Sequence, residues 1–287
     1  MQVINSLIEQ SFEYTAEKEN LAVRRDEIGD LMEIIAYCQD NAVLEPIEYR
    51  EALWEMCVEE GITFADWLYG DGTGSDDDRR RMLEALSKKA LMESDKDWPV
   101  HETSNLKNIN VTLGGFQSSV STVEEYVQER RKILSSIKKV IDYEAFMQSC
   151  FINSKFAKGI LSEMKHISNF SDNTKEITKA LGILNDYAVN LYQQYSTRLE
   201  EAMRILSVLL QRECAPDPKH SEDLIFTFTY SENIEGDKVA KTKGVECSPH
   251  LKLLHSGSNL RIYFYWCDHE IEGGKKVLVG RIGRHPY

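Results

Sequence analysis

The chain has 287 residues, 28 % of them charged and 42 % apolar, a length that suits one large domain or two to three small ones. These are ordinary globular proportions, and no stretch approaches the ~18–20 apolar residues of a membrane span, so collagen-like, filamentous, disordered and integral-membrane classes are excluded. The net charge of −13 is uneven: Met1 to Val100 holds 24 acidic and 10 basic residues, a balance of −14, and the remainder comes to +1.

An acidic third of this kind fits a solvated helical surface, or a segment that masks a basic site elsewhere in the chain. The opening Met1-Gln2-Val3-Ile4-Asn5 lacks the basic and apolar regions of a signal peptide, so a cytoplasmic location is expected. Ile28, Leu31, Met32, Ile35 and Cys38 recur at helical spacing and predict an amphipathic helix. A second helix is predicted from Pro46 to Gly61, with Leu53, Met56 and Cys57 inward. Phe64, Trp67 and Leu68 form a short apolar patch ahead of the glycine-rich loop at 70–75. That loop has neither the Lys-Ser/Thr pair of a Walker loop nor the ligand order of an EF-hand, and it reads as a turn whose Ser75 or Asp76 caps the next helix. Residues 1–98 are thus expected to be an acidic helical region.

The helical period lapses between Asp95 and Ser121, the best candidate for a boundary or hinge. Thr122-x-x-Glu125 is a capping-box signature opening a helix with Val123, Tyr126, Val127, Ile133, Leu134, Ile137 and Ile141 as apolar points. Its Arg130, Arg131, Lys132, Lys138 and Lys139 suit a solvated or ion-paired surface, or a phosphate contact. From Ser171, the positions Ile177, Leu181, Leu184, Ala188, Leu191 and Tyr195 alternate steps of four and three. Leu199, Ala202, Leu206 and Leu209 resume after one extra step of four. This predicts one long coiled-coil-like helix with a stutter, pairing inside the chain or across a homodimer, within a helical region at 99–214.

Pro216 and Pro218 end the helices, and the period becomes two. Strands are predicted at Leu224–Tyr230, Lys238–Cys247, His250–His255, Leu260–Trp266 and Lys276–Ile282, the last reached through a turn at Glu272-Gly273-Gly274. The fold class is α+β, with helical N-terminal and middle regions and a small antiparallel sheet at 215–287. The six cysteines contain no Cys-x-x-Cys and read as core residues. Cys247, His250, Cys267 and His269 are four soft ligands outside any familiar zinc spacing, so neither a metal nor another cofactor is expected.

Alternation along the strands puts Leu260, Ile262, Phe264 and Trp266 on one face and Arg261, Tyr263 and Tyr265 on the other. His250 and Lys252 face away from Leu251 and Leu253. In the last strand Val277, Val279, Arg281 and His285 share a side, opposite Leu278 and Ile282. If the polar sides coincide, His250, Lys252, Arg261, Tyr263, Tyr265, Arg281 and His285 form a basic, aromatic surface that no carboxylate interrupts. Arginine and lysine neutralise phosphates, and tyrosine stacks on unpaired bases. Cutting RNA without a metal takes a base, an acid and a cation, roles that His250 or His285, Tyr263, and Arg261 or Arg281 suit. Lys252, Tyr265 and Arg284 are the candidate nucleic-acid contacts. Packing of an ordinary half-exposed strand accounts for the same residues. No Gly-x-Ser-x-Gly, His-Glu-x-x-His or dinucleotide fingerprint is present, and Asp217 with Glu235 and Lys238 only faintly echoes a metal-dependent nuclease.

The runs Pro249-His250-Leu251-Lys252-Leu253, Arg261-Ile262-Tyr263-Phe264-Tyr265-Trp266 and Val279-Gly280-Arg281-Ile282-Gly283-Arg284-His285 resemble a C-terminal module of uncharacterised bacterial mobile-element and phage-defence proteins. More distantly they are similar to RelE-type toxins, small antiparallel sheets that cut messenger RNA with Arg, Lys, Tyr and His side chains. The resemblance covers the last quarter and implies such roles for Lys252, Arg261, Tyr263, Arg281 and His285. The favoured expectation is a bacterial nucleic-acid-directed protein of a defence or toxin system, extending to a metal-independent ribonuclease. The alternative is a non-enzymatic oligomeric protein that binds a protein partner, for which buried, hydrogen-bonded histidines or an apolar sheet face would speak.

Overall fold

The computed structural model describes residues 3–70, 76–87, 91–94, 108–114, 118–217, 221–234, 237–254 and 258–285. The chain divides into two units, Met1–Arg130 and Arg131–Tyr287. Beyond Gly70 the expected loop at 70–75 lies outside the described residues, as do most of the expected hinge at 95–121, Pro218, Glu235 and His255. Among the described residues no helix is long and apolar enough to cross a membrane.

In the first unit, strand β1 (Ile4–Leu7) is followed by helix α1 (Arg25–Asp40) and by β2 (Ile47–Tyr49), parallel to β1 with Asn5 opposite Ile47. A small hairpin, β3 (Cys57–Glu59) and β4 (Ile62–Thr63), turns at Gly61, whose φ of +71° a glycine adopts without strain. Helices α2 (Phe64–Tyr69) and α3 (Asp76–Ser87), strands β5 (Leu91–Glu93), β6 (Val111–Gly114) and β7 (Ser118–Val120), and helix α4 (Val123–Ser136) complete the series. The strands form a mixed five-stranded sheet ordered β5-β2-β1-β6-β7. α1 buries Ile28, Leu31, Ile35 and Cys38 as its period predicts. Thr63 and Asp66 make a capping box for α2, which buries Phe64, Trp67 and Leu68. At α4 the Glu125 amide donates to Thr122 Oγ1 at 3.2 Å.

Three expectations are corrected here. The first unit is not an all-helical region, because it is built on a sheet. The helix from Pro46 to Gly61 does not form: β2, a single 3-10 turn at Glu51–Leu53 and β3 occupy that stretch. Ile47 and Tyr49 are both buried, a period of two, and in β3 Val58 takes the inward position while Cys57 is exposed. Glu9, fully buried, locks the end of β2 in place: its carboxylate accepts from the Arg50 amide at 2.8 Å, from Nε at 3.1 Å and from Nη2 at 2.7 Å. Helix α4 also ends at Ser136, short of Ile141, which is 70 % exposed.

The second unit contains α5 (Val140–Cys150), β8 (Ser154–Phe156), α6 (Ile160–Met164), α7 (Phe170–Tyr195) and α8 (Leu199–Leu210). Strands β9 (Cys214–Ala215), β10 (Ile225–Ile234), β11 (Asp237–Glu246), β12 (His250–Lys252), β13 (Leu260–Tyr265) and β14 (Val277–Arg284) follow. The long helix expected from the seam is two helices. The extra step of four between Tyr195 and Leu199 coincides with the break at Ser196–Arg198. Leu181, Leu184 and Ala188 of α7, and Ala202 and Leu206 of α8, are buried within the chain, whereas Leu209, expected on the seam, is exposed and Leu210 is buried in its place.

Nor is the C-terminal sheet one simple antiparallel layer. Its order is β8-β14-β13-β12-β9, with β8 parallel to β14, so both edge strands begin before Pro216. β10 and β11 form a separate two-stranded ribbon. Trp266, just past β13, stacks on Tyr192 of α7 at 6.2 Å. On the other face Phe228, Val245 and Cys247 of the ribbon segment pack with Tyr263, Ile271 and Leu278, and Tyr265 lies against the same core.

Candidate nucleic-acid interface

Strand register decides which side chains meet. His250 lies opposite Tyr263 and Lys252 opposite Arg261 in the β12–β13 pair. Tyr263 lies opposite Arg281, and Arg261 opposite Gly283, in the β13–β14 pair. Side chains alternate along a strand, so His250, Lys252, Arg261, Tyr263 and Arg281 share one face. His285 continues that side one step beyond β14, its amide bonded to the Asn259 carbonyl at 2.7 Å. Arg284 pairs with Leu260 and takes the opposite face, where it borders a cleft of about 310 Å³ beside Asn169, Asp172 and Asn173.

A bulge interrupts β14 after Tyr263, because Phe264 pairs with Val279 and Gly280 is left over. The inward alternation expected for β14 is therefore shifted. Leu278, expected opposite Arg281, instead joins Tyr263 in the core beneath the ribbon. Gly280 has no room for a side chain: a Cβ there would stand 2.3 Å from the Phe226 ring and 2.9 Å from Cys247 Sγ.

The face is not free of carboxylates, contrary to the expectation of an uninterrupted basic surface. β9 pairs with β12 so that Ala215 lies opposite His250, and Asp217, two residues on, returns to the same side. Ser248 holds its backbone through two hydrogen bonds of 3.1 Å. Tyr263 donates its hydroxyl to Asp217 Oδ2 at 3.4 Å, and His285 Nε2 lies 3.4 Å from the same oxygen. Glu213 accepts from Lys252 Nζ at 2.7 Å. A two-residue strand carries no periodicity, so only a rule that the chain pairs before Pro216 would have revealed Asp217.

Burial sorts the candidate residues. Tyr263 is fully buried, so its ring offers no stacking surface and its hydroxyl serves Asp217. His250 is 5 % exposed, its ring 5.1 Å from that of Tyr263, and among the described residues neither ring nitrogen has a hydrogen-bond partner. Burial, then the Arg261 guanidinium, pushes its pKa down to about 4, with Lys252 and His285 acting in the same direction and Asp217 against them. The imidazole is therefore neutral at pH 7. Lys252, Arg261, Tyr265, Arg281 and His285 are half-buried, and Arg284 is exposed.

The other candidate chemistries are not assembled. Cys247 is fully buried against Gly280 and burial drives its thiol pKa up; among the described residues no group of three or more His, Cys, Asp and Glu side chains gathers as metal ligands. Arg130 is buried, donating to Glu45 Oε2 at 2.7 Å and Tyr126 Oη at 2.8 Å, and Arg131 holds Asp186 through two bonds of 2.7 Å. These two arginines are ion-paired rather than open to phosphate. No protein family, curated protein or solved structure matches this chain. The site stands on its own geometry.

Proposed function

We propose that the chain is a bacterial, cytoplasmic, nucleic-acid-directed protein of a phage-defence or toxin system, which binds single-stranded RNA across the C-terminal sheet and cuts it without a metal. The observation that carries this reading is His250. A structural core histidine is hydrogen-bonded, whereas His250 is buried with both nitrogens unpaired, beside the Asp217–His285 pair and on the same face as Arg261 and Arg281.

In the proposed reaction bound RNA displaces the side chains that bury the His250 ring nitrogens, and His250, neutral at pH 7, accepts the proton of a ribose 2′-hydroxyl as its oxygen attacks phosphorus. The bond from phosphorus to the 5′-oxygen breaks, and His285, beside Asp217, serves as the acid that gives a proton to that leaving oxygen. A 2′,3′-cyclic phosphate and a 5′-hydroxyl result. Arg261 and Arg281 offset the charge that grows on the phosphoryl oxygens, Lys252 holds a neighbouring phosphate, and Tyr263 positions Asp217. Arg284, on the far face, takes no part.

The test is binding and cleavage of single-stranded RNA in the presence of EDTA. Wild-type protein is expected to cut, and an Arg261→Ala, Arg281→Ala double variant to lose about 10²-fold or more in rate while staying folded. A wild-type protein that neither binds nor cuts removes the reading. The alternative, a non-enzymatic protein with a protein partner, rests on a different feature: along β11, Asp237 to Thr242 are all exposed.

A further inference from the structure

Next to His250 the same unit holds a second concavity, a cleft of about 400 Å³ walled by Lys243, Gly244, Glu246, Ser248, Tyr265 and Asp268. Its volume suits a small ring system rather than a peptide segment. Tyr265 is half-buried and supplies an aromatic wall, and Gly244 leaves the opposite side bare of side chain. Lys243 is anchored, its Nζ 2.8 Å from Asp268 and 3.2 Å from Glu270. Glu246 is exposed at the end of β11 and, among the described residues, its carboxylate has no hydrogen-bond or ion-pair partner. The cleft therefore presents one fixed cation and one unengaged carboxylate beside an aromatic ring.

We propose that this cleft binds an unstacked guanine base, a specificity pocket for the RNA-directed face. The inference rests on the reading of that face given above. Guanine alone among the four bases offers two adjacent donors, N1–H and the N2 amine, to a single carboxylate, and next to them the O6 acceptor for an ammonium. Adenine turns the lone pair of N1 toward Glu246, and cytosine that of N3. Uracil flanks its one N–H with two carbonyl oxygens, which a carboxylate repels. Position agrees with chemistry: Ser248 lies two residues before His250, and Tyr265 two residues after Tyr263. Two residues of strand span roughly 7 Å, so the base in the cleft belongs to a nucleotide adjoining the phosphate at His250.

The experiment uses the four free nucleosides, which carry no phosphate, titrated into the full-length protein by calorimetry, with RNA binding measured beside them. Guanosine is expected to bind about tenfold or more tightly than adenosine, cytidine or uridine, as loss of a charged hydrogen-bonding pair implies. Glu246→Gln, a change at an exposed position, is expected to bring guanosine to the level of the others with the circular dichroism unchanged. Equal binding of all four, binding of none, or a guanosine preference that survives Glu246→Gln overturns the pocket. The two readings fail separately. Selective guanosine binding without RNA binding keeps the guanine site and removes the RNA-directed face. RNA binding that depends on Arg261 and Arg281, without nucleoside preference, does the reverse.

Discussion

Glu9 and His250 are both buried ionisable side chains, and their surroundings treat them in opposite ways. Glu9 is paired, since Arg50 gives its carboxylate three hydrogen bonds, the condition under which a buried carboxylate is tolerated. His250 sheds its charge because burial removes it from water and Arg261 and Lys252 stand near it, while no acceptor bonds either ring nitrogen. A histidine whose pKa is lower in the folded than in the unfolded chain binds fewer protons when folded, so stability is full above the unfolded value of about 6.5 and falls as pH drops toward about 4. Between pH 7 and pH 5 the expected loss from this residue is about 2 kcal/mol. Urea unfolding of wild type and His250→Phe at the two pH values checks it: the variant is expected to lose less by that amount, and equal losses would refute the neutral, buried imidazole.

At the scale of elements, amphipathic periods predict which side of a helix or strand goes inward, and they mislead where a short segment pairs with a distant one. The stripe of α1 and the two faces of β13 agree with their periods. The α7–α8 seam agrees through Leu206, but Leu209 turns outward and the stutter marks a break between two helices instead of a supercoil adjustment. β14 departs from its alternation at Gly280, where the bulge lets the Phe226 ring approach the backbone. Gly280→Ala is therefore expected to destabilise the protein by about 1–3 kcal/mol through overpacking, read as a shift of the urea midpoint at unchanged slope. A variant as stable as wild type would mean that the ribbon moves away from the sheet at no cost.

The whole molecule is organised around two five-stranded sheets, one in each unit, although only the second announces itself in sequence. A cut at residue 214, where the helical period gives way to period two, would leave β8 and half of β9 behind and strip α7 and α8 from the sheet they support. Small sheets bury too little apolar surface to stand alone. The segment 215–287 expressed by itself is expected to show no cooperative unfolding transition, whereas 131–287 is expected to show one; thermal melts of the two fragments decide the matter. Any trial of whether the acidic first third masks the sheet requires the longer fragment.

Local pattern by itself determined the α+β class, the stripe of α1, the N-cap at Thr122, though not the return bond of Glu125, which goes to Ser121, and the shared polar face of His250, Lys252, Arg261 and Tyr263. These follow from a period of 3.6 or 2, a property of consecutive residues. The first unit's sheet was hidden because its strands span only three or four residues and β1 carries Asn5 and Ser6 at its buried centre, so no alternation develops. Asp217 was hidden for a related reason, since its place beside His285 depends on how two-residue β9 pairs with β12. The neutral state of His250, the bulge at Gly280 and the cleft at Glu246 arise only where segments far apart in the chain come together. Register and close approach are properties of such pairs, and tertiary structure alone decides them.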